Sequence, residues 1–180
     1  MKLNSQSLRR LYARGVFYPT LLWNWTLAHV IPIRRWWDSI DAHVIVGAFP
    51  FAHKVPAMSD AGVRAVVNTC EEYCGPIKAY ERHGIEQFHM PTTDFTHPQI
   101  EDVRRAVDFI QSHVERGHVV YIHCKAGRAR SATVAMAWLM AHREMTPDEA
   151  QRHLLDKRPH VNPNIAQRPV IQTYATEQHG

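Results

Sequence analysis

Cysteine is scarce in this chain, which contains three in 180 residues, at positions 70, 74 and 124. An odd number of cysteines at irregular spacing is atypical of a disulfide framework and favours a reducing compartment. The chain has no HExxH motif despite its thirteen histidines. Cys70-x3-Cys74 has no second ligand pair at suitable spacing, so we expect no metal and no other cofactor. Internal repeats and low-complexity tracts are also absent.

Charged residues are missing from residues 15–33, where there is no Asp, Glu, Lys or Arg. This run approaches the ~20 residues of a bilayer-spanning helix, but Pro19 and Pro32 interrupt it, and no signal-peptide cleavage site is evident. Arginines flank it, and residues 1–37 hold four of the five tryptophans, Trp23, Trp25, Trp36 and Trp37. This composition is typical of a membrane interface. Three interpretations of residues 1–37 stay open: a cover segment over the following domain, an interfacial anchor with membrane contact through residues 15–37, and a true span or signal anchor.

The remaining sequence is that of one globular domain. Hydrophobic residues make up 45% of the chain and charged residues 21%, which is typical of a folded core rather than of disorder. The formal net charge of +4 suits an anionic partner such as a phosphate or a lipid headgroup. We expect no nucleic-acid partner.

Strand and helix patterns alternate along residues 38–180. Short apolar runs predict strands at residues 43–51, 65–68, 84–91 and 118–123. Helices are predicted from residue 57 to a break at Gly62, at 97–117, at 132–143 and from Thr146 onward. We therefore predict an α/β domain with a central, largely parallel sheet flanked by helices. Ligands bind in such sheets where a strand ends and the next helix begins, and residues 123–131 occupy such a junction.

Residues 123–131 read HCKAGRARS and gather a thiol, a glycine and three cations in one loop. The backbone N–H groups of such a loop and the positive end of the next helix form a nest for an anion. We expect the phosphate to contact the whole run Lys125, Ala126, Gly127, Arg128, Ala129 and Arg130.

Individual residues of the loop suit nucleophilic attack on a phosphate monoester. Arg130 offers a planar fork to two phosphate oxygens, and Gly127 permits close backbone approach. The positive field favours the thiolate of Cys124, the predicted nucleophile, which would form a phosphocysteine. Ser131 is placed to donate a hydrogen bond to that thiolate, and His123 to brace the loop. A buried structural cysteine and a rhodanese-like persulfide carrier are the rival interpretations.

The HCKAGRARS segment resembles the HCxxGxxR[ST] signature of cysteine-dependent protein tyrosine and dual-specificity phosphatases. IDAHVIVGAFP (residues 40–50) resembles their first core strand, and NPNIAQRPVI (residues 162–171), which contains Gln167, resembles their C-terminal loop. Within the family, the loop, EEY at residues 71–73 and TTDFTHP at 92–98 most resemble the subgroup typified by the mitochondrial phosphatidylglycerophosphate phosphatase.

The resemblance implies a protein tyrosine phosphatase-like fold of the dual-specificity type and roles for residues outside the loop. It makes Asp94 the general acid and, later, the general base, with a plain turn residue as the alternative. Glu71 and Glu72 shape the cleft, bind a substrate hydroxyl or cap the second strand, and Gln167 supports the site. Cys70 lies where related phosphoinositide phosphatases carry a cysteine able to form a disulfide with the nucleophile; a buried cysteine is the alternative.

Lys125 and Arg128 add charge beyond Arg130, which favours a substrate with a second phosphate, unless both face solvent or brace acidic neighbours. We therefore predict a metal-independent phosphomonoester hydrolase acting on an anionic phospholipid, foremost phosphatidylglycerophosphate. We place it on the cytoplasmic or organelle-matrix side of a membrane, peripherally attached. The alternatives are a protein tyrosine or dual-specificity phosphatase, a phosphoinositide phosphatase and a phosphate-reading pseudophosphatase.

Overall fold

A computed structural model describes residue 15, residues 19–23, residue 26 and residues 35–178. Five strands form one sheet: β1 (Trp37–Ser39), β2 (Val44–Gly47), β3 (Val63–Cys70), β4 (Glu86–Thr92) and β5 (Val119–His123). Their order is β1-β2-β5-β3-β4, and all neighbouring strands are parallel except β1, which runs antiparallel to β2. The predicted α/β class with a largely parallel sheet is therefore confirmed.

Helices cover both faces of the sheet. They are α1 (Val55–Asp60), α2 (Ile77–Arg82), α3 (Ile100–Val114), α4 (Arg130–Arg143), α5 (Pro147–Lys157) and α6 (Pro169–Gln178). Because successive side chains of a strand point to opposite faces, Tyr121 packs with α1 and α2, whereas its neighbour Ile122 packs with the α3–α6 core. α4 lies in that larger core and is buried over most of its length, with Trp138 completely enclosed.

The longer elements agree with the sequence patterns, as do the short helix α1 and the short strand β2, whereas two other short elements do not appear in them. α5 begins with a capping box between Thr146 and Glu149, with a proline in its first turn. α4 begins at Arg130, two residues earlier than expected. β1, with three residues, and α2, with six, were not predicted. Elements this short span too few residues to show a period.

Part of the N-terminal segment lies against the domain. Residues 19–23 are helical, and Leu21 is buried with Phe49 in a small cluster of its own. Leu22 and Trp23 are each 63% exposed. Among the described residues, no helix is long and apolar enough to cross a membrane. Trp25 and most other residues of the segment lie outside the described part, so its role as cover or anchor stays a prediction.

Candidate active site

Three parallel strands bring the site together at one edge of the sheet. β5 ends at His123 and leads into the loop that precedes α4. β3 ends at Cys70, directly before Glu71 and Glu72, and β4 ends at Thr92, two residues before Asp94. Because β4, β3 and β5 are parallel neighbours, these segments all leave the sheet at its carboxyl edge, where α/β proteins bind ligands.

The Cys124 thiol lies at the base of the loop and is 4% exposed. The backbone N–H of Gly127 donates to its Sγ at 3.2 Å, and the Ser131 hydroxyl donates at 3.3 Å. Burial raises the pKa of Cys124. The charge of Arg130 and hydrogen bonds from Ser131 and the loop backbone outweigh this effect and lower the pKa to about 7. A substantial fraction of this thiol is therefore thiolate at neutral pH, as a nucleophile requires.

Gly127 makes the tight turn of the loop, with a φ of +65°. A Cβ atom at this position would lie 2.6 Å from the backbone carbon and oxygen of Gly47. The left-handed φ disfavours a side chain, and the space behind the loop excludes one. The loop therefore sits directly on the end of β2.

Arg130 faces the cleft from the first turn of α4 and is 2% exposed. Its Nη1 donates to Oε2 of Glu72 at 2.9 Å and to the carbonyl of Thr92 at 2.7 Å. Its Nη2 lies 3.1 Å from Oδ1 of Asp94. Burial lowers the pKa of Arg130, but the surrounding thiols and carboxylates raise it by more, so the pKa lies above its ordinary value. The guanidinium is therefore permanently charged.

Asp94 lies between two cations on the loop after β4. Its Oδ1 faces Arg130, and its Oδ2 accepts a hydrogen bond from Nζ of Lys125. Its backbone N–H donates to Oε1 of Glu72 at 3.1 Å, so Glu72 links the loop of Asp94 to Arg130. The carboxyl group is thereby held beside the groups that surround Cys124, within the same cleft.

The two further cations of the loop diverge. Lys125 is 6% exposed, bonds Asp94 and lies 5.4 Å from the ring centroid of Phe95. Arg128 is exposed, and its Nε donates to the carbonyl of His160 at 2.8 Å. Lys125 therefore contacts the acid-bearing loop, whereas Arg128 contacts the C-terminal loop on the other side of the cleft.

The remaining sequence-predicted residues lie at different distances from the chemistry. Ala126 and Ala129 line the cleft, and Oε2 of Glu71 accepts a hydrogen bond from the Thr93 hydroxyl at 2.6 Å. Gln167 is exposed and is not among the described residues that line the cleft. Its neighbour Arg168 lines the cleft instead.

His123 and Cys70 are enclosed behind the loop. Burial lowers the pKa of His123 to about 3, which the Cys124 backbone only partly opposes, so the ring is neutral. Its ring nitrogens make no hydrogen bond of ordinary geometry within the described chain, whereas its backbone carbonyl accepts from the Thr69 hydroxyl at 2.9 Å. Cys70 is fully buried, and burial raises the pKa of its thiol. Cys70 and Cys124 are both free thiols, so their disulfide stays a prediction.

Arg158, a residue that the sequence did not indicate, fixes the loop from behind. It is completely buried and forms an ion pair of 2.5 Å with Asp38. Its Nε donates to the carbonyl of Gly127 at 2.7 Å, and its Nη2 to the carbonyl of Ala126 at 3.2 Å. With the carbonyls held on this outer side, the loop is fixed in the conformation that turns the Gly127 N–H to the thiol. No sequence pattern indicated Arg158, because it directly follows the polar end of α5, where arginines are usually exposed to solvent.

The cleft in front of Cys124 has a volume of about 480 Å³ and combines charge with apolar surface. Its basic side chains are Lys125, Arg128, Arg130 and Arg168. Two aromatic side chains also line it: Trp23, from the N-terminal segment, and Phe95, which is 71% exposed. The cleft therefore fits an anionic group attached to an apolar body.

Comparisons with known proteins agree with this geometry. The pattern of the dual specificity phosphatase catalytic domain matches residues 44–177. Phosphatidylglycerophosphate phosphatase PTPMT2 of Arabidopsis thaliana is 38% identical over 92% of this chain and 74% of its own. Phosphatidylglycerophosphatase and protein-tyrosine phosphatase 1 of Homo sapiens is 33% identical over 90% of this chain and 85% of its own.

Among solved structures, that of PTPMT1 in complex with PI(5)P matches with a TM-score of 0.73 and 29% identity. The match covers 80% of this chain and 97% of that one. The sequence match spans most of the domain that carries the thiolate, its arginine and the acid. The chain belongs to the dual specificity phosphatase family and is a cysteine-dependent phosphatase.

Proposed function

We propose that this enzyme hydrolyses the terminal phosphate of a phospholipid monoester, foremost phosphatidylglycerophosphate, through a phosphocysteine and without a metal ion. The observation that carries the proposal is the cleft, in which the Cys124 loop is bordered by exposed apolar side chains at Trp23 and Phe95. The Cys124 loop suits the phosphate of a lipid headgroup, and the apolar side chains suit the part of the lipid that carries the acyl chains. Two relatives named for phosphatidylglycerophosphate support the same substrate class.

In the first step, the Cys124 thiolate attacks phosphorus in line with the leaving oxygen. The S–P bond forms while the P–O bond to the glycerol breaks. Arg130 and the loop N–H groups hold the non-bridging oxygens, where charge is greatest in the transition state. Asp94 supplies the proton that the glycerol oxygen requires as it leaves.

In the second step, water replaces sulfur at phosphorus. Asp94, now a carboxylate, takes a proton from the attacking water, the P–O bond to water forms, and the S–P bond breaks. The sulfur leaves as a thiolate, which the Ser131 hydroxyl and the Gly127 N–H stabilise at 3.3 and 3.2 Å. Inorganic phosphate is released and the proton returns Asp94 to its acid form.

Peripheral membrane contact through residues 15–37 belongs to the same proposal, on the cytoplasmic or organelle-matrix side. Leu22 and Trp23 are each 63% exposed, and Trp23 lines the mouth of the cleft. Tryptophan is favoured at the membrane interface, where its ring is in an apolar layer and its N–H near headgroups. Replacing Leu22, which is not among the described residues that line the cleft, with serine should weaken binding to anionic liposomes and leave hydrolysis of p-nitrophenyl phosphate unchanged. Undiminished binding would remove this part of the proposal.

A phosphoinositide is the second candidate substrate, because a related structure holds PI(5)P. A panel with chelator present separates the candidates: phosphatidylglycerophosphate, PI(5)P, phosphatidic acid and a phosphotyrosine peptide. We expect kcat/KM on phosphatidylglycerophosphate to exceed that on the peptide by orders of magnitude. Comparable or reversed values would contradict the lipid assignment and favour a protein phosphatase, and loss of all activity with chelator would contradict the metal-free mechanism.

A further inference from the structure

The cations of the cleft fall into two pairs according to their partners. Arg130 and Lys125 both contact carboxylates, through Glu72 and Asp94. Arg128 and Arg168, by contrast, bond only neutral oxygens within the described part of the chain. Among the described residues, the second pair therefore brings positive charge to the cleft without an ion pair to a carboxylate.

Arg168 is held in place before any ligand arrives. Its Nη1 donates to the Thr133 hydroxyl at 2.8 Å, and that hydroxyl donates to the carbonyl of Ala129 at 2.9 Å. The loop before Arg168 is fixed by Gln151, whose Oε1 accepts the N–H groups of Ile165 and Ala166 at 2.8 and 3.1 Å. This support keeps one edge of the guanidinium on α4 while the side chain lines the cleft.

The surroundings of Arg168 favour an anion. Arg168 is partly buried, and this burial lowers the pKa of its guanidinium. The Cys124 thiolate raises that pKa, which means that the two groups interact electrostatically. A partly desolvated guanidinium is stabilised by an anion that offers two oxygens to its fork. Because Arg130 and the loop N–H groups are assigned to the phosphate under attack, Arg168 is suited to a second phosphate in the same cleft.

We infer that Arg168, with Arg128 on the same cleft, binds the internal phosphodiester of the substrate and selects for a lipid with two phosphates. This inference rests on the proposed function, because that substrate carries a phosphodiester on the far side of its glycerol. The sequence pattern predicts a second-phosphate contact at Lys125 and Arg128. Because Lys125 bonds Asp94, we assign the second phosphate to Arg168 and Arg128 instead.

The test compares Arg168→Gln with wild type on three substrates in mixed detergent micelles: phosphatidylglycerophosphate, phosphatidic acid and p-nitrophenyl phosphate. Only the first has a phosphodiester beside its monoester. We expect KM for phosphatidylglycerophosphate to rise about tenfold with kcat nearly unchanged, the size of effect that one hydrogen bond to a charged group produces. The kcat/KM values for the other two substrates should fall much less, so the preference for phosphatidylglycerophosphate over phosphatidic acid should drop several-fold.

Two further variants control for charge and folding. Arg152→Gln removes the same charge from an exposed position on α5, where Nε donates to the Asp148 carbonyl, and it should match wild type on all three substrates. Arg168→Lys should recover part of the loss because it restores the cation. If Arg168→Gln does not fold, Arg128→Gln tests the subsite from an exposed residue, with an expected rise in KM of about threefold or more.

An unchanged KM for phosphatidylglycerophosphate in Arg168→Gln, or in Arg128→Gln when the first variant does not fold, overturns the inference. Equal losses on all three substrates also overturn it, because they place Arg168 in the transfer site or in the scaffold. If wild type itself shows no preference for phosphatidylglycerophosphate over phosphatidic acid, the proposed function fails and the subsite fails with it. A preference that persists in Arg168→Gln rejects the subsite alone.

Discussion

Two buried arginines lie on opposite sides of the loop of residues 123–131, and they have different roles. Arg130, on the cleft side, pairs with Glu72 at 2.9 Å, while Arg158, behind the loop, pairs with Asp38 at 2.5 Å. Both are at most 2% exposed. They differ in what else they reach: Arg158 donates to loop carbonyls, whereas Arg130 lines the space in front of Cys124.

The comparison shows that a buried arginine can either bind substrate or stabilise the conformation of the loop. A buried guanidinium must satisfy its donors, because an unpaired buried charge is costly. Arg158 satisfies them entirely with fixed groups of the protein, so it holds the shape of the loop. Arg130 faces the side chain of Asp94 and the open cleft, so a phosphate can reach it. Variants on the two sides should therefore fail in different ways.

On the cleft side, Arg130→Lys should keep the charge and lose the planar fork. We expect kcat/KM on p-nitrophenyl phosphate to fall by about 10²–10³, as when one donor to a transition-state oxygen is removed. Thermal stability should change much less than activity. A variant with near wild-type kcat/KM would show that the fork of Arg130 is not needed.

Behind the loop, Arg158→Gln should affect folding first, since it leaves the buried Asp38 with the exposed Arg35, 2.6 Å away, as its one cationic partner among the described residues. Breaking such a pair costs about 3–5 kcal/mol, which urea unfolding would measure. The double variant Asp38→Asn/Arg158→Gln should lose less than the sum of the two single variants, because neither charge is then left alone. If the losses in free energy of unfolding of the two single variants add up in the double variant, Asp38 and Arg158 do not stabilise the loop as a pair.

The smallest expected effect concerns the thiol itself. Activity requires the thiolate, and the pKa of Cys124 is about 7, so kcat/KM should rise as pH increases through about 7. Ser131→Ala removes one hydrogen bond that lowers this pKa, and the rise should move to higher pH by up to about one unit. The rate of alkylation of Cys124 by iodoacetamide should shift in parallel. A shift to lower pH would contradict the role of Ser131.

The sequence predicted what is local. The period of α3, the apolar run of β5 and the loop between β5 and α4 lie within continuous segments, so they could be identified from spacing alone. The structure also brings Cys124, Arg130 and Asp94 to one cleft, with Ser131 bonded to Cys124 and Glu72 to Arg130. The acid Asp94 was identified through family resemblance.

Residues defined by distant partners could not be predicted. Arg158 is buried because Asp38, 120 positions earlier, accepts its charge, and nothing in its own neighbourhood distinguishes it from a solvated arginine. Arg168 is positioned by Thr133, 35 residues away. For Lys125 the sequence left a contact with an acidic neighbour open beside a substrate contact, but its partner Asp94 lies on another loop, 31 residues earlier, and could not be identified.

The central claim is that the cleft side of the loop transfers phosphate through Cys124, and trapping the intermediate tests it most directly. A Ser131→Ala variant, which lacks one hydrogen bond to the thiolate that leaves in the second step, is mixed with terminally labelled phosphatidylglycerophosphate, quenched within seconds and digested for mass spectrometry. We predict label on the peptide that contains Cys124, and none in the Ser131→Ala/Cys124→Ser double variant. Turnover with label on another residue, or label that persists in the double variant, would contradict the account.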